Sequence, residues 1–364
     1  MIRKSRRRSK NARRSKRRSR GRATRKNVNS KKRWETLEHN GVMFPSGYKP
    51  IDLPIIYEGE EVFLNPESEE LALFYAKFLD TEYLDKPIFK RNFFRDWRKT
   101  LKRGSKIKSL DKCDFSRFKN YLDGEKVKKH SRSREEKKRE KEDRELIQEN
   151  FKYATVDDKI QQVGNFVMEP PSIFLGRGCN PNLGKVKRRI YPKDITLNLS
   201  RNAKIPSLPP GEKWGKIVHD KGKIWLASWK DSITGNTKYV WLAQSSEFKR
   251  ESDQSKFDLA RKLSKKLNEI IHENESSLAS SNKKMRQIAT AVYFIYKLAL
   301  RVGNEKGKDE ADTVGVTSLR IEHLKLLENN VVKLDFLGKD SIRYQKKVTV
   351  DPIVYRNLEE FTKN

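Results

Sequence analysis

Patterned hydrophobic positions begin at Trp34. Residues 1–33 carry no apolar periodicity, and such a stretch cannot bury enough surface to offset chain entropy, so a disordered arm is expected there. Further on, Leu71, Phe74, Tyr75, Phe78 and Leu79 recur at helical spacing behind Asn65-Pro66, which reads as an N-cap followed by the first helical residue. The segment 87–101 (PIFKRNFFRDWRKTL) sets Phe89, Phe93, Phe94 and Trp97 among Arg and Lys. These aromatics can stack on bases or form the core face of a helix, and their helical spacing favours the core. Residues 131–149 are almost wholly charged, with Glu135–Arg139 and Glu140–Arg144 spaced as i,i+4 pairs. That pattern predicts an exposed helix between modules.

From about 151 to 243 the pattern shortens to strands and turns, punctuated by Pro170-Pro171, Pro209-Pro210 and Gly176, Gly178, Gly184 and Gly211. Residues 223–229 and 237–243 alternate like strands around a turn at Gly235-Asn236. Most of Trp214, Trp225, Trp229 and Trp241 are expected in the core. Helical spacing returns over 254–271 (Phe257, Leu259, Ala260, Leu263, Leu267, Ile270, Ile271). Residues 283–300 are apolar nearly all round, which predicts a helix buried on every side and closed by Gly303-Asn304. Finally, 331–337 and 341–350 read as a hairpin turning at Gly338-Lys339-Asp340. The expected class is α+β, with a mainly helical back half that carries a small β element.

Charge changes the picture. The 364 residues carry a net charge of +33, of which the arm supplies +18 through 18 Lys and Arg and no acid. The folded body therefore keeps +15 of its own, which a basic tail alone does not explain. Lys and Arg gain affinity for nucleic acid by releasing condensed counterions, so a polyanion is the expected partner. A ribosomal or chromatin-like coat protein fits that composition as well as an enzyme does. The two cysteines, Cys113 and Cys179, lack metal-ligand spacing and point to a reducing compartment. The start shows no signal-peptide pattern, and the longest apolar stretch, 289–300, is too short to span a bilayer. No membrane association is expected.

There is no phosphate-binding Walker loop, no GxGxxG, no HExxH and no CxxC in the chain. What remains is a set of basic groups. Arg301, in KLALRVGNEK, is either a cation at a helix C-terminus or a bidentate phosphate clamp. Lys339, in DFLGKDSIRY, is either an ordinary charged turn residue or a proton donor projected toward a polyanion.

The segments NFFRDWRK, EPPSIFLGRG, KRRIYPKDI, PPGEKW, WLASW, KLALRVGNEK, ADTVGVTSLRIEH and FLGKDSIRY settle between these roles. In order and spacing they resemble successive motifs of the eukaryotic-type (type IB) DNA topoisomerase family, over about residues 34–364. The resemblance implies an enzyme that clamps duplex DNA, cleaves one strand through a tyrosine joined to the 3′ phosphate, and relaxes supercoils. It implies neither ATP nor an obligatory metal. The family's catalytic set is two arginines, a lysine, a histidine and the tyrosine; Arg301 matches the first arginine and Lys339 the lysine. Arg177, Lys187, Arg188, Arg189, Lys306, Asp340 and Arg343 match positions on the family's DNA side. By the same resemblance, 34–50 with 131–246 and 51–130 form two cap modules, and 247–364 begin a catalytic module like that of tyrosine recombinases.

Two departures stand out. Asn180 and Asn182 replace the His and Lys usual in GRGCNPNLG. The second arginine, the histidine and the tyrosine are expected beyond FLGKDSIRY, outside these residues, since His39, His130, His219, His272 and His323 all precede Lys339. His323 is expected to be structural. The remaining groups are expected from a separate chain, from splicing or from a further gene segment; the alternative expectation is a non-catalytic duplex-binding clamp derived from the family. The expected location is the nucleus, or a host nucleus, viral factory or virion if a large DNA virus encodes the chain.

Overall fold

A computed structural model describes residues 32–305, 307 and 310–363. All but the last two residues of the basic arm lie outside that range, as does Lys306. Among the described residues, helices and small sheets gather around three hydrophobic clusters, an α+β architecture.

The first cluster joins segments far apart in sequence. Strand β1 (Leu37–His39) pairs antiparallel with β5 (Tyr153–Val156), and β5 with β6 (Lys159–Gln162). Alongside lies a four-stranded sheet in the order β10 (Lys216–Val218), β9 (Thr196–Asn198), β11 (Ala227–Lys230), β12 (Thr237–Val240). The period-2 alternation buries one face, so Leu37, Val156, Leu197, Trp229 and Val240 share one interior. Most of the four tryptophans are expected in the core, but only Trp229 is fully there; Trp214 and Trp225 are half-buried and Trp241 is exposed. The reason is local: Trp225 and Trp241 flank Tyr239 on one surface, with ring centroids 5.8 and 5.3 Å from it, and cover each other instead of entering the core.

The second cluster is helical. Helices α1 (Pro66–Ala76), α2 (Pro87–Trp97) and α3 (Ser116–Ser131) pack on β2 (Ile55–Tyr57), β3 (Glu60–Val62) and β4 (Cys113–Asp114). Asn65 caps α1 as expected, its Oδ1 accepting the Ser68 N–H at 2.9 Å. Phe89, Phe93 and Trp97 are completely buried, so the aromatic stretch is core; each such side chain contributes roughly 1.5–3 kcal/mol by leaving water. A two-stranded ribbon, β7 (Ser172–Ile173) with β8 (Val186–Lys187), also packs here through Ile173, Leu183 and Val186.

Helix α4 (Arg134–Glu149) buries none of its residues and opens with a capping box between Ser133 and Glu136. Its ion pairs differ from those expected. Lys138–Glu142 and Lys141–Glu145 form at 3.7 and 3.8 Å, while Glu140 is drawn back to Arg132 at 2.7 Å.

The helical pattern after 246 resolves into α5 (Glu247–Lys265) and α6 (Leu267–Leu278), broken at Lys266. Helix α7 (Lys283–Leu298) ends two residues earlier than its apolar run, because Ala299 turns left-handed with φ 53°. It buries one face through Ala289, Thr290, Tyr293 and Phe294, while Met285 and Ile288 stay exposed, so the expectation of burial on every side is corrected. Its inner face meets α8 (Pro352–Thr362) and the meander β13 (Leu324–Leu327), β14 (Val331–Leu337), β15 (Arg343–Thr349). The hairpin of β14 and β15 is as expected; β13 is the strand that the pattern did not reveal. No helix among the described residues is long and apolar enough to cross a membrane.

Candidate nucleic-acid interface

Helix α2 carries the loop between β7 and β8. The Asn92 side-chain amide donates to the carbonyls of Pro181 and Leu183 at 2.9 and 2.7 Å, and the Asp96 carboxylate accepts the Val186 N–H at 3.2 Å. Gly184 runs hard against α2: a Cβ there would lie 2.3 Å from the Phe89 carbonyl oxygen, so no side chain fits. The loop is thus held at its base, and its apex presents Arg177, whose side chain is 70% exposed. Arg177 reaches Asp340 in the turn between β14 and β15, at 2.9 Å. Beside this pair, the Gly178 backbone faces the Ser341 side chain. Two loops from different hydrophobic clusters meet at that point.

The turn itself is tight. The Gly338 N–H donates to the Ile342 carbonyl at 2.8 Å, and Asp340 and Ser341 take left-handed φ values of 65° and 58°. Asp tolerates that conformation better than most residues. Lys339 is exposed at the tip and forms no ion pair among the described residues.

Arg301 follows the Ala299 reversal on an extended segment. Its carbonyl accepts the Val316 N–H at 2.9 Å, and that of Val302 accepts the Thr317 N–H at 2.8 Å. Gly303 and Gly315 pass so closely that a Cβ on either would come within 3 Å of the other's backbone. One step away, the Val314 N–H donates to the Leu337 carbonyl at 2.8 Å, directly before the turn that bears Lys339. Arg301 and Lys339 are therefore carried on one hydrogen-bonded frame. The Arg301 side chain is exposed and, like Lys339, forms no ion pair among the described residues.

The other expected residues divide. Arg188 is exposed, its backbone N–H donating to Ser232 Oγ at 3.1 Å. Its neighbours are already engaged. Lys187 pairs with Glu169, and burial together with the nearby Lys238 ammonium pushes its pKa down to about 8. Arg189, 17% exposed, donates to Glu70 at 2.6 Å and to the Ser46 carbonyl at 2.8 Å. Arg343 grips the Asp335 carboxylate bidentately at 2.8 and 2.9 Å. That contact, with a hydrogen bond from Gln345, brings the Asp335 pKa down to about 2. His323 packs on Phe336, and its Nδ1 accepts the Arg320 N–H at 3.0 Å, a structural role as expected. Among the described residues no group of three or more His, Cys, Asp or Glu is placed to hold a metal ion.

Residues 32–242 match the family model described as eukaryotic DNA topoisomerase I, DNA binding fragment, and residues 245–364 match that described as its catalytic core. The chain belongs to the eukaryotic DNA topoisomerase I family. It is 47% identical over 337 residues to DNA topoisomerase 1 of Candidozyma auris and 44% identical over 342 residues to that of Homo sapiens; each match covers 91% of this chain and 45% of the relative. DNA topoisomerase 1 beta of Arabidopsis thaliana is 45% identical over 332 residues, 91% of this chain and 36% of that protein. The chain thus spans less than half the length of these relatives. The boundary between the two topoisomerase models falls at the start of α5, so the Arg177–Asp340 pair links the stretch matched as DNA binding fragment to the stretch matched as catalytic core.

Sequence reasoning placed Arg177 and Asp340 on the same side without pairing them. It also missed Asn92 and Asp96, whose side chains fix the Arg177 loop. Their only signal was polarity on the buried side of an amphipathic helix: Asn92 is 4% exposed in a ring of aromatics, where an amide needs partners.

Proposed function

We propose that the whole protein is a type IB DNA topoisomerase. In this reading the chain supplies the duplex-binding cap and the first part of the catalytic module. Residues 34–50 with 131–246 and residues 51–130 are the two cap modules, and 247–364 begin a recombinase-like catalytic domain. The observation that carries the proposal is the frame that holds Arg301 and Lys339 as exposed cations with no ion pair among the described residues, joined through segment 314–316 by two hydrogen bonds, with the Lys339 turn beside the Arg177 loop. Charge gathers on the non-bridging phosphate oxygens in strand cleavage, and a fixed guanidinium stabilises that charge more than it stabilises the ground state. Lys339 is suited to protonate the departing 5′ oxygen. A covalent phosphotyrosine, with its tyrosine from a further segment, would conserve the phosphodiester bond energy, so the reaction would need neither ATP nor an obligatory metal.

Arg177, Arg188 and Asp340 are the cap and turn residues best placed to meet DNA. Lys187, Arg189 and Arg343, like Arg177, could contact phosphate only by sharing or leaving their carboxylates; for the far less exposed Lys187 and Arg189 the first role is to hold the interface in shape. Lys306 is proposed as a DNA contact from its position in the NEK motif alone. The site of action would be the nucleus.

The 364-residue chain is expected to bind duplex DNA with steep salt dependence and to relax no supercoils on its own. Supplying a family C-terminal segment with its tyrosine should restore relaxation, and Lys339→Ala or Arg301→Ala should abolish it while leaving duplex binding largely intact. Relaxation at undiminished rate by either variant would overturn the assignment. Duplex binding that never supports relaxation, whatever segment is supplied, would favour a non-catalytic clamp.

A further inference from the structure

The outward face of the β13–β14–β15 sheet carries a feature that the catalytic reading does not use. The register places Lys325 opposite Lys333, and Lys333 opposite Lys347. Directly paired residues share a face, so three ammonium groups stand in a row across three adjacent strands, over roughly 10 Å at the usual strand spacing. None of the three forms an ion pair among the described residues. The carboxylate on the same face, Asp335, is bonded to Arg343 and Gln345 and offsets only the Lys333 charge from a distance. Like charges directly opposite in a sheet repel, so the row weakens the isolated fold.

We propose that this lysine row is a second contact to the phosphate backbone of the duplex held at Lys339. The inference rests on the duplex-binding reading above. Lys333 and Lys339 are six residues apart on one strand and its turn, at most about 20 Å at roughly 3.4 Å per residue. That span is up to about six base-pair steps of B-form DNA at 3.4 Å each. The row is too far to touch the phosphate at Lys339 and well placed to meet the flank of the same duplex. An evenly spaced row of cations suits a uniform polyanion. The face offers no aromatic anchor of the kind that concentrates affinity in protein–protein contacts.

The test is the chain carrying Lys325→Gln, Lys333→Gln and Lys347→Gln together, compared with the unmodified chain for binding to a 30-base-pair duplex across a salt series. Each lost phosphate contact lowers the slope of log affinity against log salt by about 0.9, so a fall of about 2–3 is expected. The low-salt melting temperature of the free variant should hold or rise, because a repulsion has been removed; a misfolded variant would instead melt lower. An unaltered slope with a preserved fold would overturn the proposal. So would a variant that keeps the duplex slope but loses binding to polyglutamate, which would assign the face to an acidic protein. Failure of the unmodified chain to bind duplex would sink the underlying reading and this one with it, and is told apart by needing no variant.

Discussion

His39 shows how much one residue can report about acid stability. It is almost fully buried, its Nδ1 accepting the Gly41 N–H at 3.0 Å and its Nε2 donating to the Asn198 carbonyl at 3.1 Å. Burial lowers its pKa to about 4 from an ordinary 6.5, so on acidification the unfolded chain takes up the proton first. Its contribution is complete above pH 6.5 and is lost as the pH falls toward 4, amounting to about 3 kcal/mol at 1.36 kcal/mol per unit. Urea unfolding between pH 7 and 4 should show this decline, and His39→Gln should flatten it. Asp335 acts in a lower window. Its carboxylate, held at about 2 by Arg343 and Gln345, adds stability above the ordinary carboxylate pKa near 4 that disappears as the pH drops through 2. The stability difference between the chain and Asp335→Asn should therefore be constant above pH 4 and vanish near pH 2, read by thermal melts. Neither behaviour is legible in the sequence: His39 is one polar residue in LEHNG, and its buried partner Asn198 lies in a distant strand.

Among the elements, α2 has the most consequence for the site. Its aromatic face was legible because helical spacing of Phe89, Phe93 and Trp97 can be read directly from the chain. Its service as a platform for the Arg177 loop was not, since Asn92 and Asp96 find partners, and the Phe89 backbone its close neighbour Gly184, about ninety residues away. Gly184→Ala should force the loop off this platform. With φ 86° and no room for a methyl group, the change is expected to cost about 2–3 kcal/mol and to weaken duplex binding through the displaced Arg177. Equilibrium unfolding and duplex titration of that variant check both effects; unchanged stability would mean that the loop does not rest on α2. The hairpin bearing Lys339 was legible for the opposite reason. Alternation and a Gly-Lys-Asp turn are local signals, and β14 and β15 occupy almost the expected residues. The partners of Lys187 and Arg189 were not legible, because Glu169 and Glu70 come from other segments and spacing carries no trace of them.

At the scale of the molecule, the DNA-binding and catalytic stretches are consecutive in sequence and touch again at Arg177–Asp340. This pair is exposed, and exposed ion pairs are worth about 0–1 kcal/mol. Asp340→Ala should speed dissociation of the chain from a closed circular duplex by about fivefold at most, and by less in high salt, where the pair is already screened. In an Arg177→Ala background the same change should do nothing further, as stopped-flow dissociation would show; independent effects would mean that the two side chains do not act together. The family's order of motifs was legible over residues 34–364. This meeting of loops was not, because it depends on how three separately built cores are set against one another.

The smallness of that contact has a consequence for traffic through the interface. An equilibrium biased by 1 kcal/mol leaves roughly one molecule in six on the minority side at room temperature. If the two loops form the gate around a bound duplex, an empty protein would part them often enough to admit DNA with no energy source. A filled one would be kept shut chiefly by its cargo, whose phosphates would attract Arg177 on one loop and Lys339 on the other.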